Sequence, residues 1–470
     1  MARAWSNSGL DLLLDLDGGK GHRRELEGAL RAAIREGRLR PGTRLPPSRA
    51  LARDMGVGRG MVVEAYSQLV AEGYLGSRTG SGTVVVWAPG SNPSLEPLRE
   101  TDEGPPIKFD WRPGSPDLSS FPRREWLRSV RRVLSTVSSS ALDYGDPRGS
   151  EALRVSLASY LSRARGVRAD PQCIVLCSGY SQALDLIGRT LRDQGARRVA
   201  VEDPGLLWHR AILQHAGLET HAVAIDADGI PVSQLTPEDA AVVVTPAHQY
   251  PMGVVLAPSR RSSLIDWATG NDTLIIEDDY DGEFRYDRDP VGALQELDPS
   301  RVAYVGTTSK TLAPALRLSW IVAPQRLLRR LVTAKVLADR QGAILDQMVL
   351  NDLLVTSVFD RHVRRMRAQY RQRRDQLIDG VTSRIPGVHV EGIAAGLHVV
   401  LRLPHGAPSE AAIIAAAFAR GIAVQGMGFY SQGAATAEQA LVLGYGRPRG
   451  HTYSSALDEL IRLLSDLLVS

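Results

Sequence analysis

Val305-Gly306-Thr307-Thr308-Ser309-Lys310-Thr311 and the run on to Arg317 set one lysine among hydroxyls, with an arginine seven residues further on. Of 56 lysines and arginines in the chain, only four are lysines: Lys20, Lys108, Lys310 and Lys335. A chain that uses arginine for nearly every surface cation keeps lysine where an amine is required. A partly desolvated amine loses its proton and attacks a carbonyl carbon; a guanidinium stays charged. Only Lys310 has flanking hydroxyls and a downstream arginine able to hold a phosphate. Arg301 to Gly306 and Leu316 to Val322 read as strands, so Lys310 falls in a tight connection where a side chain can enter a cleft.

Two other stretches fit the same chemistry. Leu274-Ile275-Ile276-Glu277-Asp278-Asp279-Tyr280 is an apolar strand that ends in acids and a tyrosine. Strand ends of α/β sheets face the ligand crevice. A carboxylate there can pair with a pyridinium nitrogen, and Tyr280 can donate to a ring phenolate. Cys173-Ile174-Val175-Leu176-Cys177-Ser178-Gly179-Tyr180-Ser181-Gln182 reads as strand, turn and helix start. Its backbone N–H groups and helix dipole suit a phosphate.

Strand and helix patterns alternate from Ile174 to Val305, which predicts a mostly parallel sheet covered by helices. Gln325 to Gly380 reads as long helix, with a solvated basic stretch from Arg361 to Arg374. The tail, from about residue 375 to 470, reads as a smaller α+β lobe. Residues 88–107 are rich in proline and lack apolar periodicity, which predicts a linker. Residues 1–87 then form a separate module and 108–470 the body, its large part at roughly 145–325.

The module holds 13 basic and 9 acidic residues, whereas residues 88–470 hold 43 of each. The whole surplus of +4 therefore sits at the N-terminus, which favours nucleic acid as partner. His22–Glu36, a helix capped by Ser48 with Ala50, Leu51 and Met55 inward, and Arg59–Glu72 with Val62, Val63, Tyr66, Leu69 and Val70 inward give three helices. A Gly-tipped hairpin over Arg78 to Val86 follows. Together they read as a winged helix-turn-helix. Arg59 opens the helix that meets base edges. Arg44, Ser48 and Arg49 open the second helix, where phosphates or bases are met. Arg78, Gly80 and Gly82 form a wing that can approach a minor groove.

Composition excludes other classes. No apolar run reaches the roughly 18 residues of a membrane span; Ala411 to Val424 is broken by Arg420, and Leu10 to Leu16 is interrupted by acids. A soluble cytoplasmic protein is expected. On one strand Cys173 and Cys177 would lie roughly 13 Å apart, too far for a disulfide. Both are expected to be buried small hydrophobes. No Cys/His spacing suggests a metal.

The run Leu45-Pro46-Pro47-Ser48-Arg49-Ala50-Leu51-Ala52 followed by Val57-Gly58-Arg59-Gly60-Met61-Val62-Val63-Glu64-Ala65-Tyr66 resembles the GntR family. From about Lys108 onward the chain resembles fold-type I, aspartate aminotransferase-like proteins that use pyridoxal 5'-phosphate (PLP). The resemblance implies Lys310 as the Schiff-base lysine, Asp278 as the pyridinium partner and Tyr280 as the phenolate partner. It implies Thr307, Ser309 and Arg317, with Ser178, Gly179, Tyr180 and Ser181, around the phosphate. Tyr250 stands where an asparagine bonds the ring oxygen, and Trp208 or His209 where an aromatic covers the ring. Tyr144 is similar to the tyrosine that reaches the neighbouring subunit's cofactor. Val442 stands where these enzymes carry an arginine that grips a substrate carboxylate.

The fusion resembles the MocR/GabR regulators over nearly the whole chain. That resemblance implies a head-to-tail homodimer, direct-repeat operators and a ligand-responsive transcription factor. The expected effector is PLP itself, or an amino acid or amine meeting Lys310. The competing expectation is a working PLP-dependent aminotransferase with an appended DNA-binding module.

Overall fold

The computed structural model describes residues 22–78, 82–86, 106–287, 291–432 and 439–468, with the side chains of His22, Ser77 and Arg78 left aside. Gly80, Lys20, the Leu10–Leu16 run and residues 88–105 of the expected linker lie outside the described residues. The chain divides into two compact units, Met1–Glu103 and Gly104–Ser470.

The first unit packs helices His22–Arg35, Ser48–Met55 and Arg59–Ala71 around Leu26, Leu30, Ile34, Leu51, Val62 and Leu69. Its hairpin pairs Leu75–Arg78 with Gly82–Val85, antiparallel. The inward stripe of the third helix is Val62, Ala65, Tyr66 and Leu69; Val63 and Val70, expected inward, are exposed. Spacings of three and four hold one helix face, and Val63 and Val70 fall on the next face. In the second helix Ala52 rather than Ala50 is buried beside Leu51. Ser48 is the first helical residue there, so the cap position falls to Pro47, which offers no side-chain bond.

The second unit is built on a seven-stranded sheet. Across it run Ile174–Cys177, Ser319–Val322, Val302–Thr307, Leu274–Asp279, Asp239–Val244, Arg198–Asp203 and Glu219–Ala224. Ser319–Val322 is antiparallel to both its neighbours; the other adjacent pairs are parallel. Helices cover both faces. Tyr180–Asp193 and Gln325–Asp339 pack on one, and Glu151–Arg165 with Pro258–Gly270 on the other. Strands buried on both faces read as continuous apolar runs, which is why this region was legible.

The expected long helix is three: Gln325–Asp339, Ile344–Val355 and Val358–Arg384. Arg340 and Ser357 adopt positive φ at the breaks, a conformation that ends a right-handed helix. The basic stretch Arg361–Arg374 is not simply solvated. His362, Val363, Met366, Tyr370 and Arg373 are buried, and Arg373 bonds the buried Asp117 at 2.6 Å. The C-terminal lobe carries the sheet His389–Glu391, His398–Arg402, Ala440–Gly444 and Gln425–Gly426. Phe109–Asp110 pairs with Ile422–Ala423, and Trp111 enters that lobe's core. The start of the body therefore packs with its end. Cys173 closes a short 3-10 turn and is partly exposed, unlike the buried Cys177. No helix among the described residues is long and apolar enough to cross a membrane.

Candidate cofactor site and DNA-reading surface

Strand alternation aims consecutive side chains to opposite faces, and this separates the three acids of Glu277-Asp278-Asp279. Glu277 accepts from the backbone N–H groups of Leu294 and Gln295 at 2.7 and 2.9 Å. Asp279 accepts from Arg165 at 2.6 and 3.0 Å and from the Tyr304 hydroxyl at 2.7 Å. Asp278 differs. It is buried, Nε2 of His209 lies 3.2 Å from its Oδ2, and its Oδ1 has no hydrogen-bond partner. Burial pushes its pKa up, while His209 and then Lys310 hold it down. An orphaned carboxylate oxygen at a strand end is costly unless a ligand donates to it.

Lys310 reaches the same cavity of about 200 Å³, which Gly114, Tyr180, His209, Tyr250, Asp278 and Tyr280 also line. Its Nζ donates to the Gly114 carbonyl. Burial lowers its pKa, opposed by Asp281 and Asp278 and assisted by Arg447. A buried amine of lowered pKa is the nucleophile that condensation with an aldehyde needs.

A cradle for an anion closes the other end. Gly179 has φ +89° and precedes helix Tyr180–Asp193. A Cβ there would meet the Arg317 guanidinium at 2.4–2.7 Å. Arg317, itself left-handed at φ +52°, donates to the Ser178 carbonyl at 2.7 Å. The Thr307 and Ser309 hydroxyls lie 2.8 Å apart, and Ser181 lines the cavity. Helix N–H groups, two hydroxyls and a guanidinium make a phosphate seat. The donors, the orphaned acid and the amine together fit PLP.

The two neighbours that the sequence offers for covering the ring sit differently. Trp208 lies at the cavity's mouth and is 69% exposed. His209 is buried, its ring 5.0 Å from that of Tyr180. The helix starts at Leu207, and that start sets which of the two neighbours turns inward. Tyr280 donates to the His248 carbonyl at 3.0 Å, and Nδ1 of His248 lies 2.8 Å from Asp281. Tyr250 meets the Tyr430 hydroxyl at 3.1 Å. Sequence reading passed over Gly114, His248, Asp281 and Tyr430, because tertiary contacts alone bring them here. Val442 is buried in a cluster with Tyr250, Tyr280, Val400 and Met427. Tyr144 is 71% exposed, with Arg340 stacked 4.2 Å above its ring.

In the first unit Arg23 and Arg31 are paired with Glu64 and Glu72 at 3.1 and 2.9 Å. Arg44, Arg49 and Arg59 are exposed. Arg59 opens the third helix behind Gly58, which supplies no side-chain cap. Arg44 runs beside Gly82 of the hairpin.

A helix-turn-helix unit joined to a seven-stranded α/β unit with this lysine site defines a class: a DNA-binding domain fused to an aminotransferase-like domain. The description "Aminotransferase class I and II" matches residues 108–432, and "Bacterial regulatory proteins, gntR family" matches residues 22–85. The chain belongs to the family of helix-turn-helix transcriptional regulators that carry a PLP-dependent aminotransferase class I and II domain.

Relatives extend over most of the chain. The pyridoxine biosynthesis transcriptional regulator PdxR of Corynebacterium glutamicum is 33% identical over 445 residues, covering 93% of this chain and 94% of its own. The probable rhizopine catabolism regulatory protein MocR of Rhizobium meliloti is 34% identical, over 77% of each chain. Among solved structures, an archaeal alanine:glyoxylate aminotransferase superposes with TM-score 0.70 at 25% identity, covering 77% of this chain and 92% of its own. An aspartate aminotransferase variant of Thermus thermophilus superposes at 0.67 and 21% identity, over 76% and 92%, which speaks to the fold.

Proposed function

We propose that this regulator holds PLP on Lys310 and changes its grip on DNA when the site's occupancy changes. Bound there, the cofactor supplies an aldehyde that amines can add to and a ring that draws electrons. The residues supply the rest. Arg317, Thr307, Ser309 and the N–H groups after Gly179 seat the phosphate. Asp278 keeps the ring nitrogen protonated, His209 covers the ring, and Tyr280 and Tyr250 face its oxygen. In a head-to-tail homodimer Tyr144 reaches the partner's site, and the DNA-reading units meet direct repeats in the cytoplasm through Arg44, Arg49, Arg59 and the wing. The observation that carries this reading is the orphaned Oδ1 of Asp278 in the cavity that Lys310 enters.

Turnover of ordinary amino acids is a poor fit. Gripping a carboxylate in two places needs a guanidinium, and Val442 sits in an apolar cluster instead. The effector is then PLP itself, in control of vitamin B6 metabolism, or an amine or amino acid that displaces Lys310. The relative named as a pyridoxine biosynthesis regulator favours the first. Purified protein with PLP and a panel of amino donors tests this. Stoichiometric spectral change without continued keto-acid release supports a sensor; sustained release supports an aminotransferase.

A further inference from the structure

A second cavity lies on the far side of the segment that touches Lys310. It is about 480 Å³ and is lined by Lys108, Asp110, Ser119, Arg447, Arg449 and Thr452, among others. Lys108 is one of the chain's four lysines, and the cofactor site makes no use of it.

The charges do not cancel. Among the described residues Asp110 is the only acid in the lining, and two guanidiniums already share it. Arg112 bonds it at 2.9 and 2.6 Å and Arg447 at 2.9 Å. Asp117, the acid just beyond, is buried and held by Arg373 at 2.6 Å. Lys108 and Arg449 are exposed and have no acidic partner among the described residues. Thr452 stands immediately before the 16-residue helix Tyr453–Leu468, which has no acid in its first turn. The Ser119 hydroxyl donates to Asp117 at 2.5 Å and the Thr452 hydroxyl to the Arg449 carbonyl at 3.3 Å, and the Tyr453 N–H is taken by the Gly450 carbonyl, so what the cavity offers an anion is its three cations.

We propose that this cavity is an effector subsite for a small metabolite anion carrying at least two negative charges, of phosphate or polycarboxylate type. The concave shape and volume suit a compact ligand; duplex DNA needs an extended basic face. The seat is wired to the cofactor site by backbone. Residues 108–114 run from its wall to Gly114, whose carbonyl receives the Lys310 amine, and the Trp111 carbonyl accepts from the Gly444 N–H at 2.6 Å on the way. Arg447 also contributes to the field at Lys310. An anion on Arg447 screens that field and favours the charged form of the amine. The proposal stands on the cavity itself, and its link to Lys310 rests on the function proposed above.

The test is calorimetric titration of the full chain, first saturated with PLP so that the Arg317 cradle is filled, with inorganic pyrophosphate in one arm and citrate in the other. Saturable one-site binding is expected in at least one arm. It should weaken tenfold or more in the double variant Lys108→Met/Arg449→Met and stay unchanged in Arg330→Met, a change of an exposed helix cation. Circular dichroism checks that the variants fold, which two exposed positions should allow. No saturable heat in either arm, or equal affinity in the double variant, overturns the proposal. So does binding lost only with Arg317→Ala, which would place the anion in the cofactor's cradle. If the protein never takes up PLP, its visible band is missing and the function proposed above fails, but the anion titration still reads this cavity.

Discussion

Three acids in a row at one strand end have three different fates, and the difference lies in what each finds within hydrogen-bond reach. Glu277 and Asp279 are satisfied by backbone and by Arg165; Asp278 keeps one oxygen unsatisfied. Replacing Asp278 with Asn removes the charge that a pyridinium needs and should weaken PLP binding at least tenfold, about 1.4 kcal/mol, read by absorbance titration. Lys310→Ala should leave a folded protein that acquires no visible band from PLP. Retention of the band would move the covalent site elsewhere. Glu202, buried beneath Thr245 and Gln249, has its pKa raised to about 7 by burial. Its folded value lies above the unfolded one near 4.3, so its contribution is fully present below that lower value. It is lost as pH rises through about 7. Glu202→Gln should flatten that part of the melting-temperature profile between pH 5 and 7.5; an unchanged slope would assign it to other groups. Lys310, Asp278 and Arg317 could be singled out in sequence because each carries a chemically distinctive type at a strand end or turn. That His209 and not Trp208 is the buried neighbour could not be read, since a one-residue shift in helix start swaps them. Gly114 carried no signal at all, because only its carbonyl acts.

At the scale of elements, the site depends on a sheet whose carboxyl ends are pinned from behind. Arg165, on helix Glu151–Arg165, bonds Asp279 while both are almost fully buried. Arg165→Met leaves that carboxylate without its counter-ion, held only by the Tyr304 hydroxyl, and should cost about 3–5 kcal/mol of stability, measured by urea unfolding of the PLP-free protein. A loss under 1 kcal/mol would mean that water or rearrangement replaces the pair. Gly179 does a different job. Its φ of +89° and the guanidinium behind it exclude a side chain. Gly179→Val should therefore reduce affinity for PLP tenfold or more yet affect affinity for phosphate-free pyridoxal little. An equal loss for both would point to misfolding. The strands were readable because they are continuously apolar. The breaks at Arg340 and Ser357 were not, because neither residue type announces a left-handed conformation. The third helix buries a stripe narrower than its apolar residues suggest, since Val63 and Val70 are apolar but lie off it.

The whole molecule joins a basic reading unit to a neutral body, and the proposed function requires that the body's occupancy alter the unit's affinity for DNA. Coupling of that kind is a free energy shared by two sites, typically about 1–3 kcal/mol. Arg59→Ala should weaken operator binding and reduce the salt dependence of what remains, since fewer counterions are released. The body's fold could be inferred from its apolar pattern. The pairing of Phe109–Asp110 with Ile422–Ala423 could not, because two-residue strands leave no periodicity. The most direct measurement is the affinity of the full-length protein for its own promoter fragment at fixed salt, with and without saturating PLP, for the native chain and for Lys310→Ala. The account predicts at least a fivefold change with PLP in the native chain and none in the variant. Identical affinities in all four conditions would contradict it.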